Sequence, residues 1–302
     1  MTIRPALSAL AAMVMIRSAL RALAAMMIMT VMVTLPALLG VQAWAAGPAE
    51  DHEKSERIRQ LLRINGFEFQ ISKAPETLAV QLGSLKERSG LNQDDHAFVV
   101  EVIIEAFDPA GILNRVVANM AETGDQIWLR DTLAFLATPL GKRMTQLEKD
   151  ASGAESYRAM TKWGESLRDN PPPKSRIQLI HQVNSAGKVF ESSLDTAVNM
   201  SMAMALALEA AKPGKHLWDE DQYREAKARV RGALTERMRN IVFLRLLYTY
   251  RQASDGEIKS YIRFYQGKAG KKYVTLMNEA VGKAIIALTW EAAKKIKVKS
   301  RL

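Results

Sequence analysis

The densest group of acidic and histidine side chains in this sequence lies between residues 94 and 105. It contains Asp94, His96, Glu101 and Glu105. Glu101 and Glu105 are four residues apart, so on a helix they share a face, as paired carboxylates do in metal sites and acid–base sites. One hypothesis is therefore a metal-handling or hydrolytic protein that uses these four residues. The interpretation we favour is a solvated first helical turn, where acidic side chains suit the helix dipole.

The histidine, serine and glycine residues do not form any catalytic or metal-binding motif in the sequence. The four histidines stand at 52, 96, 181 and 216, without the spacing of an HExxH zinc motif. The chain has no cysteine, which excludes disulfides, thiolate catalysis and thiolate metal sites. No serine lies in a nucleophile-elbow context, and no glycine-rich loop follows a strand. We therefore predict a non-catalytic protein without a cofactor or a bound metal.

A sixteen-residue motif occurs twice. Residues 133–148 read LAFLATPLGKRMTQLE and residues 262–277 read IRFYQGKAGKKYVTLM, at an offset of 129. The offset pairs Phe135 with Phe264, Gly141 with Gly270, and Lys142 with Lys271. Arg57-Ile58 and Asn65 pair in the same way with Arg176-Ile177 and Asn184 at an offset of 119. Two anchors in the same order predict an internal duplication, with an insertion of about ten residues in the second copy.

The doubled motif resembles the signature of a bacterial family, the domain of unknown function 2059, whose pattern is roughly Phe-Tyr-x-Thr/Ser-Pro-x-Gly-Lys. The first copy matches it at Phe135, Thr138, Pro139, Gly141 and Lys142, with Leu136 in place of the tyrosine. The second copy matches it at Phe264, Tyr265, Gly270, Lys271 and Lys272, with Gly267-Lys268 in place of Thr-Pro. The resemblance implies an exported, all-helical bacterial protein, and it implies no reaction.

The motif also has a physical interpretation of its own. A capped helix brings the aromatic pair to the core, and after a short turn the glycine lets the next helix pack close to the previous one. The lysines Lys142, Lys271 and Lys272 then lie in the first turn, where the helix dipole disfavours cations. They either hold an anion or, as we favour, extend their stems over apolar surface and their heads into solvent.

Residues typical of helix starts and ends are frequent along the chain. No segment alternates convincingly between apolar and polar residues, as a strand would. Asn92 precedes an apolar-periodic segment, Asp108-Pro109 combines an N-cap with proline at the first helical position, and Ser254 with Glu257 has capping-box spacing. The apolar segment 194–211 contains Asp195, Asn199 and Glu209, which favour a central buried helix over a membrane span. We predict an all-α fold in which two related multi-helix units pack as a helical bundle.

The predicted organisation has four parts. Residues 1–45 contain Arg4, Arg17 and Arg21, no acidic residue, a short apolar core and a small-x-small exit at residues 43–45, which predicts a secretory signal peptide cleaved near Ala45. An uncleaved N-terminal membrane anchor is the alternative, and Met13 or Met15 is a possible initiator. Residues 46–170 form the first unit, the prolines 171–173 a linker, and residues 174–302 the second unit.

Charge divides the two halves. Residues 46–173 contain 15 basic and 20 acidic residues, a net charge of −5, whereas residues 174–302 contain 24 basic and 12 acidic residues, a net charge of +12. The second half has an arginine-rich segment, 224–239, and a basic tail, for which we predict contact with an anionic envelope surface or an envelope protein and not with nucleic acid. The alternative is that the two halves dock by charge attraction. The tail residues are Lys294, Lys295, Lys297, Lys299 and Arg301.

Overall fold

The fold is all-α, as the sequence predicts. A computed structural model describes residues 48–299 except 84, 85, 124, 153, 213 and 215, and those residues contain no strand. Before the prolines 171–173 lie α1 (Pro48–Ile64), α2 (Phe67–Ile71), α3 (Ala74–Gly83), α4 (Lys86–Ser89), α5 (Gln93–Ala106), α6 (Pro109–Ala121), α7 (Ile127–Ala137), α8 (Pro139–Asp150) and α9 (Ala154–Ser166). After them lie α10 (Lys174–Gly187), α11 (Val189–Ala210), α12 (Glu220–Thr249), α13 (Asp255–Gln266) and α14 (Lys268–Lys299).

The predicted helix starts are set by side-chain caps. Asn92 Oδ1 accepts a hydrogen bond from the backbone N–H of Asp95, and Asp108 accepts one from Gly111 with Pro109 at the first helical position. Ser254 and Glu257 form a complete capping box at the start of α13. These caps satisfy backbone donors that have no partner inside the helix, which explains why the helices begin at these residues.

The predicted central helix is confirmed as α11, which is buried along most of its length. It packs against α12 and α14, and the core around it extends without a break from Ile58 to Ile296. None of the helices in the described part of the chain has the length and apolar character needed to cross a membrane.

The two copies of the motif form two similar helix-turn-helix corners, α7–α8 and α13–α14. In the first corner, Thr138 accepts a hydrogen bond from the N–H of Gly141 and donates one to the carbonyl oxygen of Phe135, which fixes the turn. A Cβ atom on Gly141 would stand 2.3 Å from the carbonyl oxygen of Phe135, and one on Gly270 would stand 2.2 Å from that of Phe264. Each glycine therefore lets a helix start directly against the backbone of the helix before it.

The corners meet through the aromatic residues that the offset pairs. The rings of Phe135 and Phe264 stack with centroids 3.8 Å apart and an interplanar angle of 4°. In an arrangement with two-fold pseudosymmetry, a residue touches its own equivalent only near the axis. The stacked rings therefore mark the place where such an axis would pass between the two corners.

The long helix α14 joins the two halves of the chain. It packs against α11 in the second half and against α5, α6 and α7 in the first half. Arg115 pairs with Glu291, Lys283 with Glu122, and Arg143 with Glu257, so that ion pairs also cross between the halves. The boundaries predicted at 170 and 174 fall at a break between helices, but the hydrophobic core is shared.

Replacing Gly270 with alanine is expected to lower the free energy of unfolding by about 1–3 kcal/mol, because the added methyl group overlaps the backbone of Phe264. Gly232 is the control, since it lies exposed within α12 and has no described atom within 4 Å of a Cβ position. Gly232→Ala should instead raise the free energy of unfolding by up to about 1 kcal/mol through helix propensity. Urea denaturation measures both, and equal effects would contradict the close-packing explanation.

Candidate functional site

A cavity of about 720 Å³ lies beside the two motif corners. Three pairs of residues related by the offset of 129 line it: Leu136 with Tyr265, Thr145 with Val274, and Glu148 with Met277. The corners thus present equivalent positions to one shared cavity. The two sides differ in chemistry, because in each pair one member is more polar than the other.

Glu148 forms the polar end of the cavity. Its Oε1 accepts hydrogen bonds from the hydroxyl groups of Tyr250, at 2.6 Å, and Tyr261, at 2.8 Å. The hydroxyl oxygens of Tyr261 and Tyr265 lie 2.8 Å apart. Since Tyr261 donates its proton to Glu148, the hydrogen bond between the two tyrosines uses the O–H of Tyr265 as donor. Three tyrosine hydroxyl groups are therefore hydrogen-bonded to one carboxyl group, two of them directly and the third through Tyr261.

Burial controls the protonation of this cluster. It raises the pKa of Glu148, and the hydrogen bonds from Tyr250 and Tyr261 only partly oppose that rise. Burial, followed by the proximity of Glu148, also raises the pKa of Tyr250, Tyr261 and Tyr265 well above the ordinary value for tyrosine. The tyrosines therefore keep their protons at neutral pH and act as hydrogen-bond donors.

Two asparagine side chains line the same cavity and are incompletely paired. Asn199 and Asn278 are 5% and 4% exposed. Asn278 Oδ1 accepts a hydrogen bond from Ser192, but Asn278 Nδ2 and Asn199 Oδ1 are buried without a partner among the described residues. A buried amide group without a partner costs about 1–3 kcal/mol, so these two atoms are suited to a water molecule or a ligand.

Basic groups also line the cavity, and each interacts with other groups of the protein. Burial lowers the pKa of Arg245 to about 9, and its guanidinium group donates a hydrogen bond to the carbonyl oxygen of Ala151. Burial lowers the pKa of Lys227. The negative charge of Asp195 partly opposes this decrease, and the positive charge of Arg231 adds to it. Asp195 itself forms an ion pair with Arg231.

The predicted motif residues divide between the cavity and the surface. Phe264 and Tyr265 line the cavity, whereas Thr138 and Pro139 start α8. Lys142, Lys271 and Lys272 are exposed.

The acid and histidine group between residues 94 and 105 does not form one site. His96 is buried and its Nε2 lies 3.0 Å from the carbonyl oxygen of Leu82. At 100° per residue along α5, Asp94, Glu101 and Glu105 share a face that is opposite to His96. Glu105 pairs with Lys295 of α14. In the described part of the chain, no three acidic, cysteine or histidine residues are placed to hold a metal ion.

Three residues of the basic tail contact the protein itself. Lys295 pairs with Glu105. Lys297 is buried and donates hydrogen bonds to the carbonyl oxygens of Ala210, the last residue of α11, and Lys212. The ammonium group of Lys299 lies 3.7 Å from the ring centroid of Phe98. Lys294 is exposed, and Arg301 lies outside the described residues. The contacts of Lys295 with Glu105 and of Lys299 with Phe98 join the two halves, whereas those of Lys297 lie within the second half.

The arginine-rich segment 224–239 is partly neutralised by its own helix. Arg224 pairs with Asp221, Arg229 with Glu225 and Arg239 with Glu236, all at helical spacings of three or four residues. Arg239 also lies over the ring of Phe190. Such exposed pairs each contribute little to stability, but they reduce the positive charge that α12 presents to solvent.

The sequence analysis missed Glu148, Tyr250, Asn199 and Asn278. The one available signal was the spacing of Tyr261 and Tyr265, which places two hydroxyl-bearing rings on one face of a helix. No family model, curated protein or solved structure matches the chain. The resemblance to the domain of unknown function 2059 therefore stays a prediction, and the cavity is the feature of the described structure that points to a function.

Glu148→Gln is expected to remove a pH-dependent loss of stability. Because the pKa of Glu148 is raised in the folded state, the folded protein holds its proton at pH values where the unfolded chain has lost it. The wild-type free energy of unfolding therefore falls as the pH rises above the unfolded pKa of 4.5 and through the folded pKa. Glutamine retains an oxygen that accepts hydrogen bonds from the tyrosines and carries no charge.

The measurement is urea denaturation of both proteins between about pH 4 and pH 8. The stability of the variant relative to the wild type should increase with pH across this range. Glu101→Gln, at an exposed position of α5, is the control for the loss of one carboxylate from the surface. Parallel stability curves for wild type and Glu148→Gln would contradict the expected pH dependence.

Proposed function

We propose that this is an exported, non-catalytic helical protein of the bacterial cell envelope that binds a small ligand in the cavity beside the two motif corners. The observation that carries the proposal is a pair of buried amide atoms in the cavity wall, on Asn199 and Asn278, that have no partner among the described residues. Ligand pockets typically measure about 300–1,000 Å³ and combine an apolar lining with a few polar groups. The size and lining of this cavity agree with that description.

Binding is favoured over catalysis by the chemistry of the polar end. The hydroxyl groups around Glu148 belong to tyrosines whose pKa values are raised, so they orient a partner and do not deliver a nucleophile. The rival hypothesis, a hydrolase or metal-handling protein based on Asp94, His96, Glu101 and Glu105, would need His96 to leave its contact with Leu82. The non-catalytic proposal requires no such change.

Export is the part of the proposal that rests on the sequence alone. The predicted signal peptide, residues 1–45, lies outside the described residues. Expression in a bacterial host with N-terminal sequencing of the recovered protein tests it. Cleavage should leave Ala46 as the first residue, whereas a membrane-bound protein that retains the basic N-terminus would support the anchor alternative.

Duplication is the origin we propose for the two corners. The matching approach of Gly141 and Gly270 to the preceding helices, together with the stack of Phe135 on Phe264, supports this origin. Asn65 and Asn184 are a further similarity, since each accepts a hydrogen bond from a backbone N–H at the start of the next helix. The same features support membership of the exported family that the motif resembles.

Contact with an anionic envelope surface is a second proposal, and the observation that favours it is the net charge of +12 after residue 173. Removing the whole tail would not test it, because Ile296 and Lys297 are buried and their loss would destabilise the fold. Lys294→Glu is the suitable variant, since Lys294 is exposed. Cosedimentation with anionic vesicles at low salt should decrease, and equal cosedimentation would leave only a protein partner.

Gly282→Leu is expected to weaken ligand binding without lowering stability. Gly282 lines the cavity on α14, and a Cβ atom there would have only the amide nitrogen of Asn199 in contact, at 4.0 Å among the described atoms. Leucine at this position should fill space beside Asn199 and displace a ligand. It should also favour the helix by up to about 1 kcal/mol, so that lost binding is not the result of unfolding.

The measurement is titration with the neutral fluorescent probe N-phenyl-1-naphthylamine, with circular dichroism to follow the fold. Gly232→Leu is the matched control, because it makes the same change in α12 at an exposed position that does not line the cavity. The wild type and Gly232→Leu should bind the probe with equal affinity, and Gly282→Leu should bind it more weakly. Equal binding by all three proteins would overturn the cavity as the ligand site.

A further inference from the structure

The carboxyl group of Glu148 has no cationic partner within the described protein. Its hydrogen-bond partners are the hydroxyl groups of Tyr250 and Tyr261, both on Oε1, and it forms no ion pair with any described lysine, arginine or histidine. A buried carboxylate without a countercharge is costly, and an ionised group in such a place is normally paired. Since Glu148 lines the cavity, a ligand has access to supply the missing charge.

The wall around this carboxyl group is aromatic. Five rings line the cavity with it: Tyr250, Tyr261, Phe264, Tyr265 and Tyr273. Aromatic faces attract cations through their negative charge density, and groups of such rings are the usual means of recognising alkylated ammonium ions. The hydroxyl of Tyr273 is held by the side-chain amide of Asn65, and that of Tyr265 by Tyr261, so the rings are fixed before a ligand enters.

We propose that the cavity binds an organic ammonium compound, with its positive charge beside Glu148 and its alkyl groups against the tyrosine rings. The inference rests on the proposed function, because it names the class of ligand for the same cavity. The volume of about 720 Å³ exceeds that of a small ammonium ion and leaves room for an apolar chain along Leu136, Val274 and Met277. The source is either a small free ammonium compound or an amphiphile with an ammonium headgroup.

The rival is an anionic ligand held by the basic groups of the same cavity. Arg245 and Lys227 both line it. Arg245 is already bonded to the carbonyl oxygen of Ala151, and Lys227 lies in the field of Asp195. In its ionised form, Glu148 would repel an anion beside the tyrosine rings. The aromatic end therefore favours the ammonium compound, and the experiment includes an anionic arm to decide between them.

Isothermal titration calorimetry with three ligands of equal chain length tests the charge preference. These are octyltrimethylammonium, 1-octanol and octyl sulfate, all below micellar concentrations. The wild-type protein should bind octyltrimethylammonium at least about tenfold more tightly than either of the others. Tighter binding of octyl sulfate, or equal affinities for all three, would overturn the ammonium proposal.

Substitution of Glu148 tests whether its carboxyl group causes the preference for a positively charged ligand. Glu148→Gln should reduce the affinity for octyltrimethylammonium by about thirtyfold or more and leave that for 1-octanol unchanged. Glu101→Gln changes the net charge of the protein equally at an exposed position, and its affinities should equal those of the wild type. Unchanged ammonium binding in Glu148→Gln would overturn the proposal.

Tyr265 provides a second test that does not depend on the stability of the Glu148 variant. Tyr265→Phe retains the ring and should retain ammonium binding. Tyr265→Leu, which introduces the residue found at the equivalent position 136, should reduce it by about threefold or more. Equal ammonium affinities in the two variants would contradict the role of the ring.

The outcomes separate this inference from the proposed function and distinguish the two sources. If octyltrimethylammonium, 1-octanol and the neutral naphthylamine probe all fail to bind, the cavity is not a ligand site and both proposals fail. If these neutral compounds bind and the ammonium compound has no advantage, only the ammonium inference fails. Tetramethylammonium that binds as tightly as octyltrimethylammonium indicates a small free ligand, and much weaker binding indicates an amphiphile.

Discussion

The structure depends on a close approach of backbone to backbone at two glycines. At Gly141 and Gly270, a helix starts so near the end of the preceding one that a methyl group would stand 2.3 Å or 2.2 Å from a carbonyl oxygen. This approach sets the angle of each corner, and the angle in turn brings Phe135 onto Phe264. The position of the cavity follows, because its lining residues belong to the helices that the two corners orient.

Equivalent positions in the two corners carry different chemistry. Glu148 corresponds to Met277, and Tyr265 corresponds to Leu136, so the polar groups at one end of the cavity combine a residue from each corner. The hydrogen-bonded chain from Tyr265 through Tyr261 to Glu148 joins the halves of the molecule. One corner alone would contain only part of this hydrogen-bonded chain, so the candidate site requires both corners and the different residues that they carry.

Much of the fold was predictable because it follows from local chemistry. The caps at Asn92, Asp108 and Ser254 act over three residues, and the prolines at 171–173 interrupt helices without reference to the rest of the chain. The site was not predictable in this way. Glu148 lies 102 residues from Tyr250 and 113 from Tyr261, and no pattern within one helix shows that they meet. The intramolecular contacts of the basic tail were not predictable for the same reason, since the partners of Lys295 and Lys297 lie far away in the sequence.

The position of α14 also determines when this molecule is able to fold. The helix comprises residues 268–299, and its buried side chains, as far along as Ile296, belong to the hydrophobic core that the two halves share. During synthesis, the first half emerges long before the helix that covers α5, α6 and α7. Until then those helices expose apolar surface, which is the state that chaperones bind. Completion of the core therefore requires the last turns of α14, so that the first half reaches its native packing only after this helix has been made.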